Sequence, residues 1–286
     1  MSSKRSDGRL IKGLDPIFKL IPYLMPTRAE SQVMCKKEVD AQIFNDYIKE
    51  KHAQGYDLSY MSVLIAIFVK IMAKRPHLNR FIKNGRIYAH NEIVISFVVK
   101  KALTDEADEM LLKLKFDGTE NIFEINKRIE EEIKNIKKGE GDNATDELAS
   151  KFLNLPNPII KFCVKFLLKL DEWNKMPESV IKASPFHASL FITNVKSIKL
   201  AYIYHHLYNV GTAGIFMALG KTSEKASSNK GVIEPKNMFT LGLTIDERMC
   251  DGLYLAKSLQ LFEKFCSDLS VLEQNYTQEE IVKDLT

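Results

Sequence analysis

Residues 238–257 read MFTLGLTIDERMCDGLYLAK. The run Met238–Asp246 is strand-like and leads into Glu247-Arg248-Met249-Cys250-Asp251-Gly252. A helix, Gly252–Leu269, follows at once, with Asp at an N-cap position and Gly in the turn before it. Upstream, Ala188–Asn194 and Gly214–Leu219 have the same strand texture. Gly220–Gly231 (GKTSEKASSNKG) and Lys137–Thr145 (KKGEGDNAT) are rich in Gly, Ser, Lys and Asn, and are expected to be exposed connections.

The first half is richer in helices. Val33–Val39 is extended and leads into a helix over Asp40–Lys51, with Asp40 as N-cap. A second helix is expected over Ser59–Lys74, mostly buried, with one narrow wet edge carrying Ser62, Lys70 and Lys74. Pro76 stops it. Asn84–Gly85 is a hairpin signal, followed by strand-like Arg86–Ala89 and Ile93–Lys100. Isoleucines 122, 125, 129, 133 and 136 recur every three or four residues and mark an amphipathic helix. Another is expected over Pro158–Trp173. Helices early and strands interleaved later point to α/β architecture: a two-layer sandwich of a mixed sheet with packed helices.

The 286 residues hold 45% apolar and 27% charged residues, a balance that excludes extensive disorder. The net charge of +4 gives no argument for a nucleic-acid partner. Cys35, Cys163, Cys250 and Cys266 are too scattered for a zinc ribbon or a redox pair, and no metal is expected. There is no secretory h-region and no apolar run near the roughly 20 residues of a membrane span. A cytoplasmic location with reduced thiols is the expectation. No composition shift forces a boundary, so residues 1–286 are expected to be one domain with its core at about 20–270.

The seven residues 246–252 resemble the active-site signature of the chloramphenicol acetyltransferase and dihydrolipoamide acyltransferase superfamily. That signature is a His, three residues, then Asp-Gly, with an Asp before the His and an Arg after it in the dihydrolipoamide branch. Asp246, Arg248, Asp251 and Gly252 match, and Glu247 stands where the His would be. Three further stretches match in order. Ser189–Asn194 (SLFITN) looks like the strand that supplies an oxyanion-binding hydroxyl, with Thr193 at that position. Its spacing from Glu247 is similar to the family's. Gly214–Gly220 (GIFMALG) and Arg75–Asn79 with Gly85–Tyr88 also resemble family segments.

The resemblance implies a homotrimer with each site in a channel between two subunits. Coenzyme A, as co-substrate, would enter from one side, and a small-molecule thiol or hydroxyl acceptor from the other. Glu247 would be the base and Thr193, across the boundary, the oxyanion donor. Asp251 would pair with an arginine and hold the loop, and Arg28 lies roughly where that partner sits. No lipoyl or subunit-binding module is expected, so a free-standing small-molecule acyltransferase fits better than a subunit of a 2-oxo acid dehydrogenase complex.

A carboxylate near pKa 4.3 accepts a proton from a thiol near 8.5 at a cost of roughly 6 kcal/mol, against roughly 3 kcal/mol for an imidazole. Burial and the neighbouring Asp246 and Asp251 would narrow that gap by raising the Glu247 pKa. Two readings stay open: an acyltransferase with an atypical base, or a catalytically inactive trimeric binding or assembly protein. His205 and His206 are a replacement base or simply loop histidines, and His77 and His187 are read as structural. The helix at 158–173, with Lys161, Lys165 and Lys169 four apart, has three readings: lying on a membrane surface, lining an acyl channel, or packing on the sheet or a neighbouring subunit.

Overall fold

The computed structural model describes residues 5–100, 109–137, 154–229 and 232–285. In chain order these form β1 (Gly8–Leu10), α1 (Pro16–Leu24), β2 (Gln32–Asp40), α2 (Ala41–Ala53), α3 (Tyr60–Lys74), β3 (Arg80–Lys83), β4 (Arg86–His90), β5 (Ile93–Lys100) and β6 (Glu109–Phe116). They continue with α4 (Ile122–Lys137), α5 (Asn157–Glu172), α6 (Glu178–Ala183), β7 (Leu190–Asn194), β8 (Ile215–Asn229), β9 (Val232–Asp246) and α7 (Gly252–Ser267).

Six strands form one mixed sheet in the order β2-β9-β8-β7-β5-β6, with β5/β7 and β7/β8 parallel. Side chains alternate across it. On β9, Phe239, Leu241, Leu243 and Ile245 enter the main core with residues of α2, α3 and α7. Thr240, Gly242, Thr244 and Asp246 therefore point to the opposite, outer face. Helix α3 is the centre of the helical layer, packed between α4 and α7 and against β5. The Ser59 hydroxyl caps it by accepting from the Ser62 amide, and Pro76 follows its end. Each large aliphatic side chain it buries contributes about 1.5–3 kcal/mol. The expected α/β two-layer sandwich is what the chain adopts.

β1, β4 and β3 form a second, three-stranded sheet. Its β3–β4 turn is made by Asn84 (φ 48°) and Gly85 (φ 67°), the left-handed pair that a two-residue hairpin demands.

Two expectations are corrected. Of the expected loose connection Gly220–Gly231, the part through Asn229 is strand, one side of an antiparallel ribbon paired from Thr222↔Phe239 to Asn229↔Val232, and residues 230–231 lie outside the described residues. A two-stranded ribbon standing away from the core buries no apolar face, so its composition looks like that of a loop. The wet edge of α3 is also absent at Lys70, which is fully buried. The C-terminal segment crosses it: Lys70 Nζ donates to the Gln274 carbonyl and lies 3.7 Å from the centre of the Tyr276 ring. Burial pushes the Lys70 ammonium down to about 8. The expected connection at Lys137–Thr145 lies outside the described residues beyond Lys137.

A buried ionic cluster joins the N-terminus, the β3–β4 hairpin and α5. Asp171 takes Arg5 Nη2 at 2.8 Å and the Lys83 ammonium, and His187 Nε2 lies 3.5 Å away. Burial alone would raise this carboxyl, but His187, Lys83 and Arg5 outweigh it and hold it far below the usual range. Next to it His90 is fully enclosed, with Nδ1 3.0 Å from the Asn79 carbonyl and Nε2 3.0 Å from Thr212 Oγ1.

Burial pushes the His90 imidazole down to about 4. Unfolded, it takes a proton near pH 6.5. Between those values the unfolded chain binds one more proton than the fold, so stability falls on acidification through that window. At about 1.36 kcal/mol per unit the contribution is roughly 3 kcal/mol. Urea melts between pH 6.5 and 4 are expected to show this loss, and His90→Gln to flatten the slope by about one proton. An unchanged slope would show that His90 is protonated in the fold.

Candidate active site

The sequence signature folds into a turn held from three directions. Asp246 ends β9, and Glu247–Met249 forms one turn of 3-10 helix. Asp246 Oδ1 accepts from the Arg248 amide (3.1 Å), Arg248 Nε (2.8 Å) and Ser31 Oγ (3.1 Å). Asp246 Oδ2 takes Arg248 Nη2 at 2.7 Å, and Arg28 Nε lies 3.8 Å from it. Arg248 Nη1 donates to the Met25 carbonyl. Arg28 spreads its Nη1 and Nη2 over the carbonyls of Tyr208, Val210 and Gly211. All three charged side chains are buried. Burial pushes the Arg28 guanidinium down to about 10, with Asp246 opposing the shift. One carboxylate thus ties the α1–β2 connection, the segment after β7 and the end of β9 together.

This arrangement corrects the expected role of Asp251. It does not pair with Arg28; Asp246 does. Asp251 is exposed and caps α7, its Oδ1 accepting from the Tyr254 amide at 2.7 Å. The physical reason is position: Asp246 is still inside the sheet and faces Arg28, whereas Asp251 has already turned out to the helix start. Gly252 opens α7, and a Cβ there would meet nothing within 4 Å in the chain.

Glu247 is exposed. Its amide donates to the Ser31 carbonyl at 2.9 Å, and its carboxylate has no partner among the described residues. Thr193 lies on the outer face, two along from Phe191, which belongs to the outer apolar cluster with Leu207 and Phe216. Its hydroxyl is likewise without a partner among the described residues. Thr193 lies opposite Ala218, and Ala218 opposite Gly242. Glu247 is five residues past Gly242, two strands away from Thr193. At about 3.3 Å per residue and about 4.8 Å between strands, their α-carbons are roughly 19 Å apart. The two groups cannot act on one atom within one chain.

The segment 197–211 crosses the outer face between them. Gly242 makes that approach possible, since a Cβ there would lie 2.2 Å from the Ile203 carbonyl oxygen. His205 stacks on Phe216 at 4.4 Å between ring centres, and burial lowers its pKa. His206 is exposed, with Nδ1 3.4 Å from Gln32 Nε2. Beside the Asp246 turn, a cavity of 410 Å³ is lined by Tyr23, Thr27, Arg28, Lys83, Asn209 and Arg248. Among the described residues no group of three or more His, Cys, Asp or Glu side chains is placed to hold a metal ion.

Sequence reasoning missed Ser31, which receives the Glu247 amide and donates to Asp246. Nothing local marks it, because its partners lie more than two hundred residues away. The Asp-x-Arg spacing of Asp246 and Arg248 was the available signal for the buried pair.

No protein-family model matches the chain, and no curated protein matches it by sequence. Solved structures do match. The probable dihydrolipoamide acetyltransferase of Listeria monocytogenes superposes with a TM-score of 0.58 at 17% identity, over 93% of this chain and 97% of that one. The dihydrolipoamide acetyltransferase of Azotobacter vinelandii gives 0.58 at 12% identity, over 91% and 93%. A chloramphenicol acetyltransferase gives 0.51 at 12% identity, over 91% and 99%. The chain therefore has the chloramphenicol acetyltransferase and dihydrolipoamide acyltransferase fold, a mixed sheet covered by helices. At these identities the likeness is one of fold.

Proposed function

We propose that this chain is a cytoplasmic CoA-dependent acyltransferase, a single catalytic domain that works as a homotrimer. It moves an acyl group between coenzyme A and a small thiol or hydroxyl acceptor. The observation that carries the reading is the pair of unpartnered groups, Thr193 and Glu247, on a firmly built frame and roughly 19 Å apart in one chain. A neighbouring chain that brings its Thr193 to this Glu247 completes the site.

In the reaction the Glu247 carboxylate takes the proton of the acceptor as its sulfur or oxygen attacks the thioester carbonyl of acyl-CoA. The carbonyl becomes an oxyanion, to which Thr193 Oγ donates a hydrogen bond. Collapse expels the CoA thiolate, which recovers the proton from Glu247. A free carboxylate is the poorer base by roughly 3 kcal/mol, and that is the cost the Glu247 mechanism carries relative to an imidazole.

The test is release of free CoA thiol from a panel of acyl-CoAs, with and without acceptors, for wild type, Glu247→Gln and Glu247→His. Wild type is expected to be active, and Glu247→Gln to lose about 10²–10⁴-fold. Glu247→His is expected to keep or raise the rate, by up to about a hundredfold if proton transfer limits. The second reading, an inactive trimeric scaffold, is favoured by the replacement of the family's His. Three inert proteins would establish it.

A further inference from the structure

We propose that α5 is a membrane-surface helix that seats the protein on anionic lipid headgroups. Of its sixteen residues only Asp171, at the C-terminal end, is buried. That end is pinned by Arg5 and Lys83; the preceding turns lie on the surface. Ile159, Phe162 and Phe166 are 46%, 69% and 50% exposed, and Trp173 just beyond is 42% exposed. A cluster of large exposed side chains on one helix marks an interaction surface rather than ordinary scatter.

The charge on the helix says what that surface meets. Lys161, Lys165 and Lys169 stack along one flank, and no acidic residue occurs from Asn157 to Leu170. Phe162 and Phe166, one turn apart with ring centres at 6.3 Å, lie beside this stripe. At 100° per residue the phenylalanines and Ile159 fall in an arc of about 60°, with the lysines next to it. Aromatic and aliphatic side chains dip below the headgroups while flanking lysines bind their phosphates.

Helix α1 repeats the pattern at the same β3–β4 hairpin. Ile17, Leu20 and Leu24 are 59%, 49% and 68% exposed, and Lys19 is its only charged residue. Both helices are tied to the hairpin: the Tyr23 ring packs over Gly85, and Lys83 pairs with Asp171. An exposed apolar arc bordered by a lysine stripe on α5 fits a plane of anionic headgroups. An antiparallel two-fold self-association through α5 would place one lysine stripe alongside its copy, which is repulsive. Among the described residues no helix is long and apolar enough to cross a membrane, so the contact is peripheral.

The test uses the full chain and vesicles of phosphatidylcholine alone or in equal parts with phosphatidylglycerol. Trp173, the sole tryptophan, is the reporter. Expected are co-sedimentation and a blue shift of its emission with the anionic vesicles only, weakening as salt rises. Lys161→Gln/Lys165→Gln/Lys169→Gln should lower partitioning about a hundredfold, at roughly fivefold per lysine. Phe162→Ser/Phe166→Ser should abolish it; all five positions are exposed, and an unchanged melting temperature shows that the fold is kept. Absence of binding to anionic vesicles would overturn the proposal. So would equal binding to both vesicle types that survives the lysine substitutions. Conversion of an oligomer to monomer by Phe162→Ser/Phe166→Ser, without vesicle binding, would make the face an interface between copies and also overturn it. None of these readouts depends on acyl transfer.

Discussion

Thr193→Ala and Glu247→Gln chains, each crippled alone, are expected to regain activity when unfolded and refolded together. Removing one oxyanion donor costs about 10²–10³-fold in related chemistry, and removing the base about 10²–10⁴-fold. Within a chain these positions lie two strands apart across the sheet, with Ala218 and Gly242 between them in register. On the proposed function, a site takes Thr193 from one chain and Glu247 from the next. In a trimer assembled at random from equal amounts of the two variants, about one site in four combines an intact Thr193 with an intact Glu247. Activity of the mixture should therefore rise to about a quarter of wild type, well above either variant alone. Variants mixed without unfolding should stay inactive until subunits exchange. If refolded mixtures never exceed the single variants, the site is not shared. Light scattering on the same samples should give the mass of three chains; a single-chain mass at every concentration would remove the shared site altogether.

Much of the architecture was legible because local chemistry and long-range packing agree. Asp40, Ser59 and Pro76 mark helix ends through capping and through proline's missing amide, effects that act within one turn. Asn84–Gly85 forces a hairpin through left-handed backbone that few other pairs adopt. The illegible parts lack such a local cause. The ribbon over 222–229 and 232–238 is held by backbone pairing between two polar strands, and no apolar pattern announces it. Lys70 sits at a polar position of α3, but whether that position is wet depends on a segment two hundred residues later. Asp171 was only one acid at the end of a basic helix. Its partners Arg5, Lys83 and His187 come from three other parts of the chain, so no spacing rule finds them. At the candidate site the turn 246–252 and the helix start after it were legible and one pairing was not: the motif names two aspartates, and only the fold tells which of them faces Arg28.

That choice between aspartates has a large energetic consequence. Asp246→Asn is expected to destabilise the protein by about 3–5 kcal/mol, the cost of removing one partner of a buried ion pair. The substitution keeps the shape but removes the charge that faces both Arg28 and Arg248, each of which stays buried. The amide also puts an NH2 donor opposite one of the two Arg248 nitrogens, Nε and Nη2, that now donate to the carboxylate at 2.8 and 2.7 Å. At roughly 2–4 °C per kcal/mol for a chain of this size, the melting temperature should fall by about 10 °C. Asp251→Asn should change stability by less than about 0.5 kcal/mol, since Asn caps a helix as well as Asp and this side chain is exposed. Asp251→Ala should cost only about 1 kcal/mol, the worth of a cap. Arg248→Leu combined with Asp246→Leu should cost less than the sum of the single changes, because each alone strands a buried charge. Equal losses at Asp246 and Asp251, or a larger one at Asp251, would mean that the assembled protein buries Asp251 against a partner that one chain does not contain. The position of Glu247 would then depend on the neighbouring subunit rather than on Arg28, Ser31 and Arg248.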